Sequence, residues 1–438
     1  MDINNDSDTE SRNSSQGSSD SGAAAIADNQ VLTFDNSSHQ SNDSTTDDEN
    51  EKFTSEQAPQ DFDLSLPVSH SYLGTNLEEL RGRTILDEGI YLNLPLLIKD
   101  SMILFPGQTL PLAVFNINII TMLEKCIQDN RTFGVLCYHE NKIENIGTTA
   151  EIYEFSHGSS PGEGLRIKAK GRQRFKILQF KEGANRTLAD VKIMPEITLS
   201  HPLFGGLRSM DHLSLRSING KEQKQQDHLE VFESMNTSWP AFVYRQYDSH
   251  RLSYAIKQQL QFIEIRGSFI PMNPTDLSFW VAQNLPLSDA ERIKLLTYDC
   301  AVSRLQWELD YLTKDRVLVC HNCENVIGKH ADIFPMSQDG PQNTFCNAGG
   351  YTHDTVTLYH AKNLKKHDDR PSPDYSWFPG YAWTIVECKF CSIHMGWLFT
   401  VIKDKKLKPT SFWGLVRRNL ESKKLGDDFD TECENTTL

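Results

Sequence analysis

Two pairs of cysteines with the spacing of metal ligands stand in the last third of this 438-residue chain, Cys320 with Cys323 and Cys388 with Cys391. A Cys-x-x-Cys turn places two thiolates on one tight knuckle, and both can reach one tetrahedral ion at about 2.3 Å. Two knuckles supply four ligands and leave no open position, which is typical of a structural zinc. We therefore predict one structural Zn²⁺. Because 64 residues separate the pairs, the ion would hold together a whole domain.

Three tryptophans, Trp377, Trp383 and Trp397, flank the second cysteine pair. That pair lies between two strand-like runs, so a hairpin folded there brings Trp383 and Trp397 near each other on adjacent strands. Phe399 is expected on the same face as Trp397, because side chains alternate along a strand. These indoles could be plain core, but the polar, turn-rich stretch 374–377 is typical of a functional loop.

An aromatic cage of this kind has two possible ligand classes. It can bind a cation by cation–π attraction, or a small flat ring by stacking and exclusion of water. Asp374 and Glu387 are the nearest acids that could support a cation. Composition alone does not choose between the two classes.

The elements that must position these residues follow from the apolar pattern. Short β-branched or aromatic runs separated by Gly, Asn or Pro predict strands at 94–98, 110–115, 132–138, 148–153, 165–169, 174–180 and 189–194. Apolar residues three and four apart predict helices over 116–129, 252–263, 274–285 and 288–312. The last of these begins with a capping box, Ser288 with Glu291.

The sequence thus predicts a multidomain α+β protein. Its parts are a disordered acidic tail at 1–66, a mostly-β lobe at 70–195, a helical bundle at 196–314, a zinc-stabilised all-β domain at 315–424, and a disordered tail at 425–438.

Charge and hydropathy limit the function classes. The net charge is −15, of which residues 1–63 contribute −13, so the remainder is nearly neutral and direct nucleic-acid binding is not expected. The N-terminal residues lack the pattern of a signal peptide, and no apolar run is long enough to span a membrane. We expect a soluble intracellular protein without membrane insertion, in which the nine cysteines favour metal ligation over disulfides.

Several motifs resemble a known family. Phe105-Pro-Gly-Gln-Thr-Leu-Pro-Leu112, Gly147-Thr-Thr-Ala-Glu-Ile-Tyr153 and Gly171-Arg-Gln-Arg-Phe175 resemble the Lon N-terminal domain, as the cereblon family carries it. The stretch Ser376–Trp383, the two Cys-x-x-Cys pairs and Phe412-Trp-Gly-Leu415 resemble that family's thalidomide-binding domain, a zinc-stabilised β-tent called CULT. The resemblance covers about 70–424.

The resemblance implies a non-catalytic substrate receptor of a cullin-4 RING E3 ubiquitin ligase. The helical bundle would dock a β-propeller adaptor, damage-specific DNA-binding protein one, which joins the receptor to the cullin-4 scaffold. Substrate proteins would be presented for ubiquitination and proteasomal degradation, in the cytoplasm and nucleus.

The resemblance also implies a ligand and its contacts. The ligand is a neutral cyclic imide, either a glutarimide drug or a C-terminal cyclised Asn or Gln, which favours the flat-ring class. The implied ligand-binding residues include three walls, Trp377, Trp383 and Trp397, and a base, Phe399. Backbone groups of Tyr375 and Trp377 would hydrogen-bond the imide, and Asn347 would contact whatever projects from it. Ser376 is the seventh implied residue.

This chain departs from the familiar vertebrate pattern at the rim of the cage. Asp374-Tyr375-Ser376-Trp377 stands where that pattern has Glu-His-Ser-Trp, and Asn347-Ala-Gly-Gly-Tyr351 stands where it has Asn-Pro-His-Gly-Tyr. Ile385 lies next to the cage. Because the walls are kept, imide binding is expected to survive, whereas contacts beyond the rim change.

Three other functions compete with this interpretation. The Lon protease function fails because the chain has no G-x-x-x-x-G-K-[ST] motif. A zinc-stabilised methionine sulfoxide reductase of the B type would need a nucleophilic thiolate, for which Cys346 is the candidate. A reader of methylated lysine would use the same cage for a cation.

Overall fold

The computed structural model describes residues 60–158, 164–183, 186–203, 223–261, 263, 267–367, 370–402 and 406–425. The disorder predicted for 1–59 and 426–438 lies outside the described residues. Residues 60–66, which the sequence analysis assigns to the tail, are ordered: β1 (Gln60–Asp61) pairs with residues 407–408, and α1 (Ser65–Val68) follows. Phe62 is buried, with its ring centroid 5.4 Å from that of Tyr381. The two residues are far apart in sequence, so no local pattern predicts this contact.

The N-terminal lobe is built on one eight-stranded sheet. Its elements are β2 (Glu78–Glu79), β3 (Ile90–Asp100), β4 (Thr109–Val114), α2 (Ile117–Gln128), β5 (Thr132–His139), β6 (Lys142–Ile143), β7 (Ile146–His157), β8 (Leu165–Gly183) and β9 (Arg186–Ile193). The order is β2-β7-β5-β3-β9-β8-β4, and the eighth strand, β6, pairs with β5 beside this path. A further pairing of β7 with β8 closes the middle strands into a barrel. The strands predicted at 165–169 and 174–180 are one continuous strand, β8, because different parts of its length pair with β4, β7 and β9.

Helix α2 lies where the sequence predicts it. The Asn116 side chain caps its N-terminus by accepting hydrogen bonds from the backbone N–H groups of Asn118 and Ile119. Leu123 and Cys126, three residues apart on one face of the helix, are buried in the lobe's core.

The helical bundle follows the lobe. Its described helices are α3 (Gln223–Ser234), α4 (Ala241–Arg245), α5 (Ser249–Gln259), α6 (Pro274–Asn284), α7 (Asp289–Thr297) and α8 (Ala301–Leu312). The predicted capping box is present, with Ser288 and Glu291 bonded reciprocally.

The single helix predicted over 288–312 is wrong, because the chain leaves the helical conformation at 298–300. Arg174 of β8 donates to the carbonyls of Leu296 and Tyr298, and Arg304 donates to the carbonyl of Tyr298 as well. These side chains satisfy carbonyls that a continuing helix would have used. The interruption therefore depends on a partner more than 120 residues away in sequence.

Glu196 joins the two arginines at the interface between lobe and bundle. Its carboxylate accepts from Arg174 at 2.8 Å and from Arg304, both of which are almost fully buried. Arg304 also lies over the Phe279 ring at 4.0 Å. One carboxylate thus compensates two buried cations, so this junction depends on it.

The zinc domain is built on two sheets. The strands are β10 (Arg316–Cys320), β11 (Val326–Lys329), β12 (Gln342–Cys346), β13 (Thr352–Leu358), β14 (Leu364–Lys366), β15 (Tyr381–Cys388), β16 (His394–Val401), β17 (Leu407–Lys408), β18 (Ser411–Val416) and β19 (Leu420–Lys424). Strand β17 pairs outside the two sheets, with β1. A three-stranded sheet has the order β11-β10-β19, and a six-stranded sheet has the order β12-β13-β18-β16-β15-β14. One apolar cluster, which includes Leu318 and Ile327 of the first sheet and Val356 and Leu415 of the second, packs between them.

None of the helices in the described ranges is long and apolar enough to cross a membrane.

We predict that Glu196→Ala lowers the free energy of unfolding by about 3–5 kcal/mol, because it removes the carboxylate that is bonded to two buried guanidinium groups. Asp310→Ala is the control: it removes an exposed i,i+4 ion pair with Lys314 and should change stability by about 1 kcal/mol or less. Urea unfolding followed by circular dichroism measures both. Equal stability of the two variants would contradict the role given to Glu196.

Candidate functional site

The four predicted ligand cysteines lie together at the junction of the two sheets. Cys320 ends β10 in the three-stranded sheet, and Cys388 ends β15 in the six-stranded sheet. The Sγ atoms of Cys320 and Cys391 are 3.6 Å apart, those of Cys323 and Cys388 are 3.5 Å apart, and all four lie within 4.8 Å of one another. A tetrahedral ion with sulfur ligands at about 2.3 Å needs sulfur–sulfur distances of roughly 3.8 Å, so the donor set fits zinc.

Both knuckles have the same backbone structure. In each, the residue after the second cysteine is left-handed, with φ of 60° at Glu324 and 58° at Ser392. Its N–H donates to the carbonyl of the first cysteine, at 2.8 Å in one knuckle and 3.0 Å in the other. Asn325 also directs its side-chain amide toward the sulfur of Cys323 at 3.4 Å. The turns therefore hold the thiols in position by their own hydrogen bonds.

The predicted cage residues surround one cavity of about 430 Å³. Its lining residues are Asn347, Ala348, Gly349, Ser372, Asp374, Tyr375, Trp377, Trp383, Ile385, His394, Trp397 and Phe399. Six of the seven residues expected to bind the ligand are in this set, and Ser376 is not. The Ser376 hydroxyl instead donates to the Phe378 carbonyl at 3.1 Å, so this side chain stabilises the turn.

The hairpin of β15 and β16 places two of the tryptophans. Trp383 pairs with Phe399, and Ile385 pairs with Trp397, so the two indoles are diagonal neighbours on adjacent strands. Phe399 lines the cavity beside Trp397, as the alternation of strand side chains predicts. The predicted hairpin, with Trp383 and Trp397 near each other on adjacent strands, is confirmed.

Trp377 is a fixed wall of the cavity. Its ring is stacked on Phe345 at 4.9 Å, meets Trp397 edge-on at 4.7 Å, and is 6% exposed. Its Nε1–H donates to the carbonyl of Cys346 at 3.1 Å. The indole of Trp383 likewise donates to the carbonyl of Asp374 at 2.8 Å. Because both indole N–H groups are occupied, these walls offer aromatic surface to a ligand.

The rim of the cavity is formed by two tight turns. Tyr375 has a left-handed backbone, with φ of 52°, and its side chain is exposed. Asn347 closes the other turn, because its Oδ1 accepts from the Tyr351 N–H at 2.9 Å. In the same turn Gly350 has φ of +81°, and a Cβ there would lie 2.5 Å from the Ala113 carbonyl of the lobe. The rim turn therefore packs directly against the N-terminal lobe.

Two histidines that the sequence analysis did not assign to the ligand site lie against Trp397. The ring centroids of His353 and His394 are 5.2 and 5.0 Å from that of Trp397. Burial, with further lowering by His394 and Arg418, brings the pKa of His353 to about 4. Burial also lowers the pKa of His394, despite the opposing effect of Glu387. Both imidazoles are therefore neutral at pH 7.

A β-bulge explains why His394 was missed. The pairing of β15 with β16 shifts between Val386 and Glu387, which inserts an extra residue into β16 before Trp397. Gly396, with φ of +140°, lies at this point, and a Cβ there would be 2.2 Å from the Gly414 carbonyl. Strict alternation would put His394 and Trp397 on opposite faces, and the bulge reverses that. Gly396 is the sequence signal that could have indicated the bulge.

Of the two acids expected to support a cation, only Asp374 lines the cavity. Glu387 is bonded to His367 at 2.8 Å and lies 3.4 Å from the Lys365 ammonium group. Hydrogen bonds from these two groups lower the pKa of Glu387 despite the opposing effect of desolvation. It therefore belongs to a surface ion-pair cluster.

We predict that Cys388→Ser abolishes zinc binding and separates the two sheets, because a structural zinc contributes directly to folding free energy. Cys346→Ser is the matched control, since Cys346 is a buried thiol outside the cluster. Zinc content by mass spectrometry and tryptophan emission of the full chain are the measurements. Full zinc content in Cys388→Ser would contradict the assignment.

Comparisons with known proteins match two separate parts of the chain. Residues 93–314 match the family described as the ATP-dependent protease La (LON) substrate-binding domain. Residues 316–435 match the family described as Yippee zinc-binding/DNA-binding/Mis18, centromere assembly. A solved Lon N-terminal domain protein from Xanthomonas campestris covers 50% of this chain and 99% of its own, with 18% identity and a TM-score of 0.33.

Relatives cover both parts together. The protein cereblon of Danio rerio is 42% identical over 82% of this chain and 87% of its own length. The protein cereblon of Gallus gallus is 40% identical over 82% of this chain and 84% of its own length. With its Lon-like lobe, its four-cysteine zinc domain and these relatives, the chain belongs to the cereblon family.

Proposed function

We propose that this chain is the substrate-recognition subunit of a cullin-4 RING E3 ubiquitin ligase and that its aromatic cavity binds cyclic imides. The ligands are glutarimide-type molecules and C-terminal cyclised Asn or Gln residues of substrate proteins. The observation that carries the proposal is the convergence of three indoles and Phe399 on one cavity. A flat ring of a few atoms can be enclosed there on several sides.

The electrostatics of the cavity favour a neutral ligand over a cation. Burial is the largest cause that lowers the pKa of both His353 and His394, so the surroundings of Trp397 disfavour positive charge. Of the described lining residues, Asp374 is the acidic one. A methylated lysine would bring a positive charge into these desolvated surroundings with one exposed carboxylate to compensate it. A neutral imide carries no such cost.

Backbone groups at the rim are the ones that can make hydrogen bonds to the imide. The indole N–H groups of Trp377 and Trp383 are already bonded to carbonyls. The backbone amide of Trp377 makes no hydrogen bond within the described part of the chain. Together with the backbone of Tyr375, it can exchange hydrogen bonds with the imide N–H and carbonyls, while Asn347 meets what projects from the ring.

A catalytic thiol at this cavity is disfavoured. Cys346 is fully buried, its Sγ–H is directed to the carbonyl of Asn347 at 3.5 Å, and it does not line the cavity. Burial raises the pKa of this thiol, which keeps it protonated. These observations favour a non-catalytic receptor over a methionine sulfoxide reductase.

The bundle carries an apolar surface suited to the adaptor. Phe232, Met235, Trp239 and Phe242, on and between α3 and α4, are all more than half exposed. Apolar side chains concentrated in this way are typical of a protein–protein interface. We assign this surface to the β-propeller adaptor, damage-specific DNA-binding protein one, through which the chain joins cullin-4. The receptor would act in the cytoplasm and nucleus, without direct contact to nucleic acid.

We predict that the zinc-loaded full chain binds glutarimide saturably and that Trp383→Ala weakens this binding at least about tenfold, because it removes one wall of the cage. Tryptophan fluorescence titration or calorimetry measures it. Trp239→Ala, the same substitution outside the cavity, should leave glutarimide affinity unchanged. Unchanged affinity in a folded Trp383→Ala chain would rule out the cage as the binding site.

The adaptor surface gives the reciprocal prediction. Trp239→Ala should weaken binding of the purified adaptor at least about tenfold, since buried tryptophans dominate interface energies. Trp383→Ala should leave adaptor affinity intact. Surface plasmon resonance with the immobilised adaptor distinguishes the two variants. If both variants bind the adaptor as tightly as the original chain, this surface is not the docking site.

A further inference from the structure

A second cavity, of about 120 Å³, lies between the helical bundle and the zinc domain. It shares no lining residue with the aromatic cage. Helices α5 and α6 supply Leu260, beside the end of α5, and Trp280, Val281 and Leu285, while the segment after β11 supplies His330 and Ile333. An occupant of this cavity would touch both domains at once.

Two of the lining residues, Trp280 and His330, carry buried ring nitrogens that lack partners. Neither Trp280 Nε1 nor His330 Nε2 has a hydrogen-bond partner among the described residues, and both atoms are shielded from solvent. An indole N–H left unpaired in a buried site costs free energy that a ligand oxygen could recover. Burial, followed by the positive charge of Arg316, lowers the pKa of His330 to about 4, so its ring is neutral at pH 7.

Size and polarity limit the ligand class. Drug-sized ligands occupy cavities of about 300–1,000 Å³, whereas an apolar cavity of about 150 Å³ holds one benzene ring. The cavity here is near the smaller value. Its lining is mainly aliphatic, which disfavours a cluster of waters, because each buried water needs about three polar partners.

We propose that this cavity is a binding site for a small monocyclic ring with one hydroxyl group, the chemistry of a phenol. The ring fills the space between Leu260, Val281 and Ile333. Its hydroxyl oxygen accepts from the Trp280 N–H and exchanges a hydrogen bond with His330 Nε2. The site is separate from the imide cage, and an occupant joins the bundle to the zinc domain, so binding stabilises their contact.

Ala331 offers a variant that changes the cavity from its exposed side. Ala331 lines the cavity and is itself exposed, next to His330. A large side chain at this position is expected to occupy cavity space without replacing a buried side chain. This gives a variant that tests the site while leaving the fold unaffected.

The experiment is a titration of the zinc-loaded full chain with 4-fluorophenol, followed by ¹⁹F NMR, with 4-fluorotoluene as the matched ring lacking the hydroxyl. Saturating glutarimide is present throughout, and the titration is repeated in Trp383→Ala, so that binding in the aromatic cage is recognised. We expect saturable binding of 4-fluorophenol in both, and about fivefold weaker binding of 4-fluorotoluene.

Two variants assign the binding to this cavity. Trp280→Phe keeps a ring and removes the N–H, so it should erase most of the preference for phenol over toluene. Ala331→Trp should abolish binding of both probes, and because position 331 is exposed, it decides the question if Trp280→Phe does not fold. Absence of saturable binding, binding that survives Ala331→Trp, or binding lost in Trp383→Ala would each overturn the proposal. None of these outcomes depends on whether the cage binds imides.

Discussion

The four-thiolate cluster is the constraint on which the rest of the zinc domain depends. It joins the end of β10, in one sheet, to the turn between β15 and β16, in the other. That turn begins the strand that carries Trp397 and Phe399 and ends the strand that carries Trp383. A metal bound at the cluster would therefore fix the turn of the hairpin that forms two sides of the cage.

The third wall and the rim connect the cage to the rest of the molecule. Trp377 stacks on Phe345 of β12, and in the same strand Thr344 accepts a hydrogen bond from Gln108 of the lobe at 3.1 Å. On the other side Arg417 bonds to the Leu287 carbonyl and to Asp289 of the bundle. These buried polar contacts hold lobe, bundle and zinc domain in one arrangement around the cavity.

Features set by local pattern could be predicted from the sequence. The Cys-x-x-Cys knuckles, the strand alternation that puts Trp397 and Phe399 on one face, and the capping box at Ser288 each depend on residues a few positions apart. The strands of the lobe were located well for the same reason. Likewise, the indole spacing around the second knuckle was sufficient to bring Trp383 and Trp397 together.

Features set by distant partners could not be predicted. The break at 298–300 requires Arg174 from the barrel, and the order of residues 60–66 requires an aromatic pocket formed by Phe378 and Tyr381. His394 reaches the cavity only through a bulge that the close approach of Gly396 to Gly414 allows. The unpaired nitrogens of Trp280 and His330 likewise have no sequence signature, since satisfied and unsatisfied rings look alike in a sequence.

We propose that metal binding at the cysteine cluster organises the imide site. Glutarimide affinity of the full chain, measured as zinc is withdrawn by a chelator and then restored, tests this dependence. We expect affinity to be lost in proportion to zinc and to return when zinc is added back. Unchanged affinity in a zinc-free chain that remains folded would contradict it.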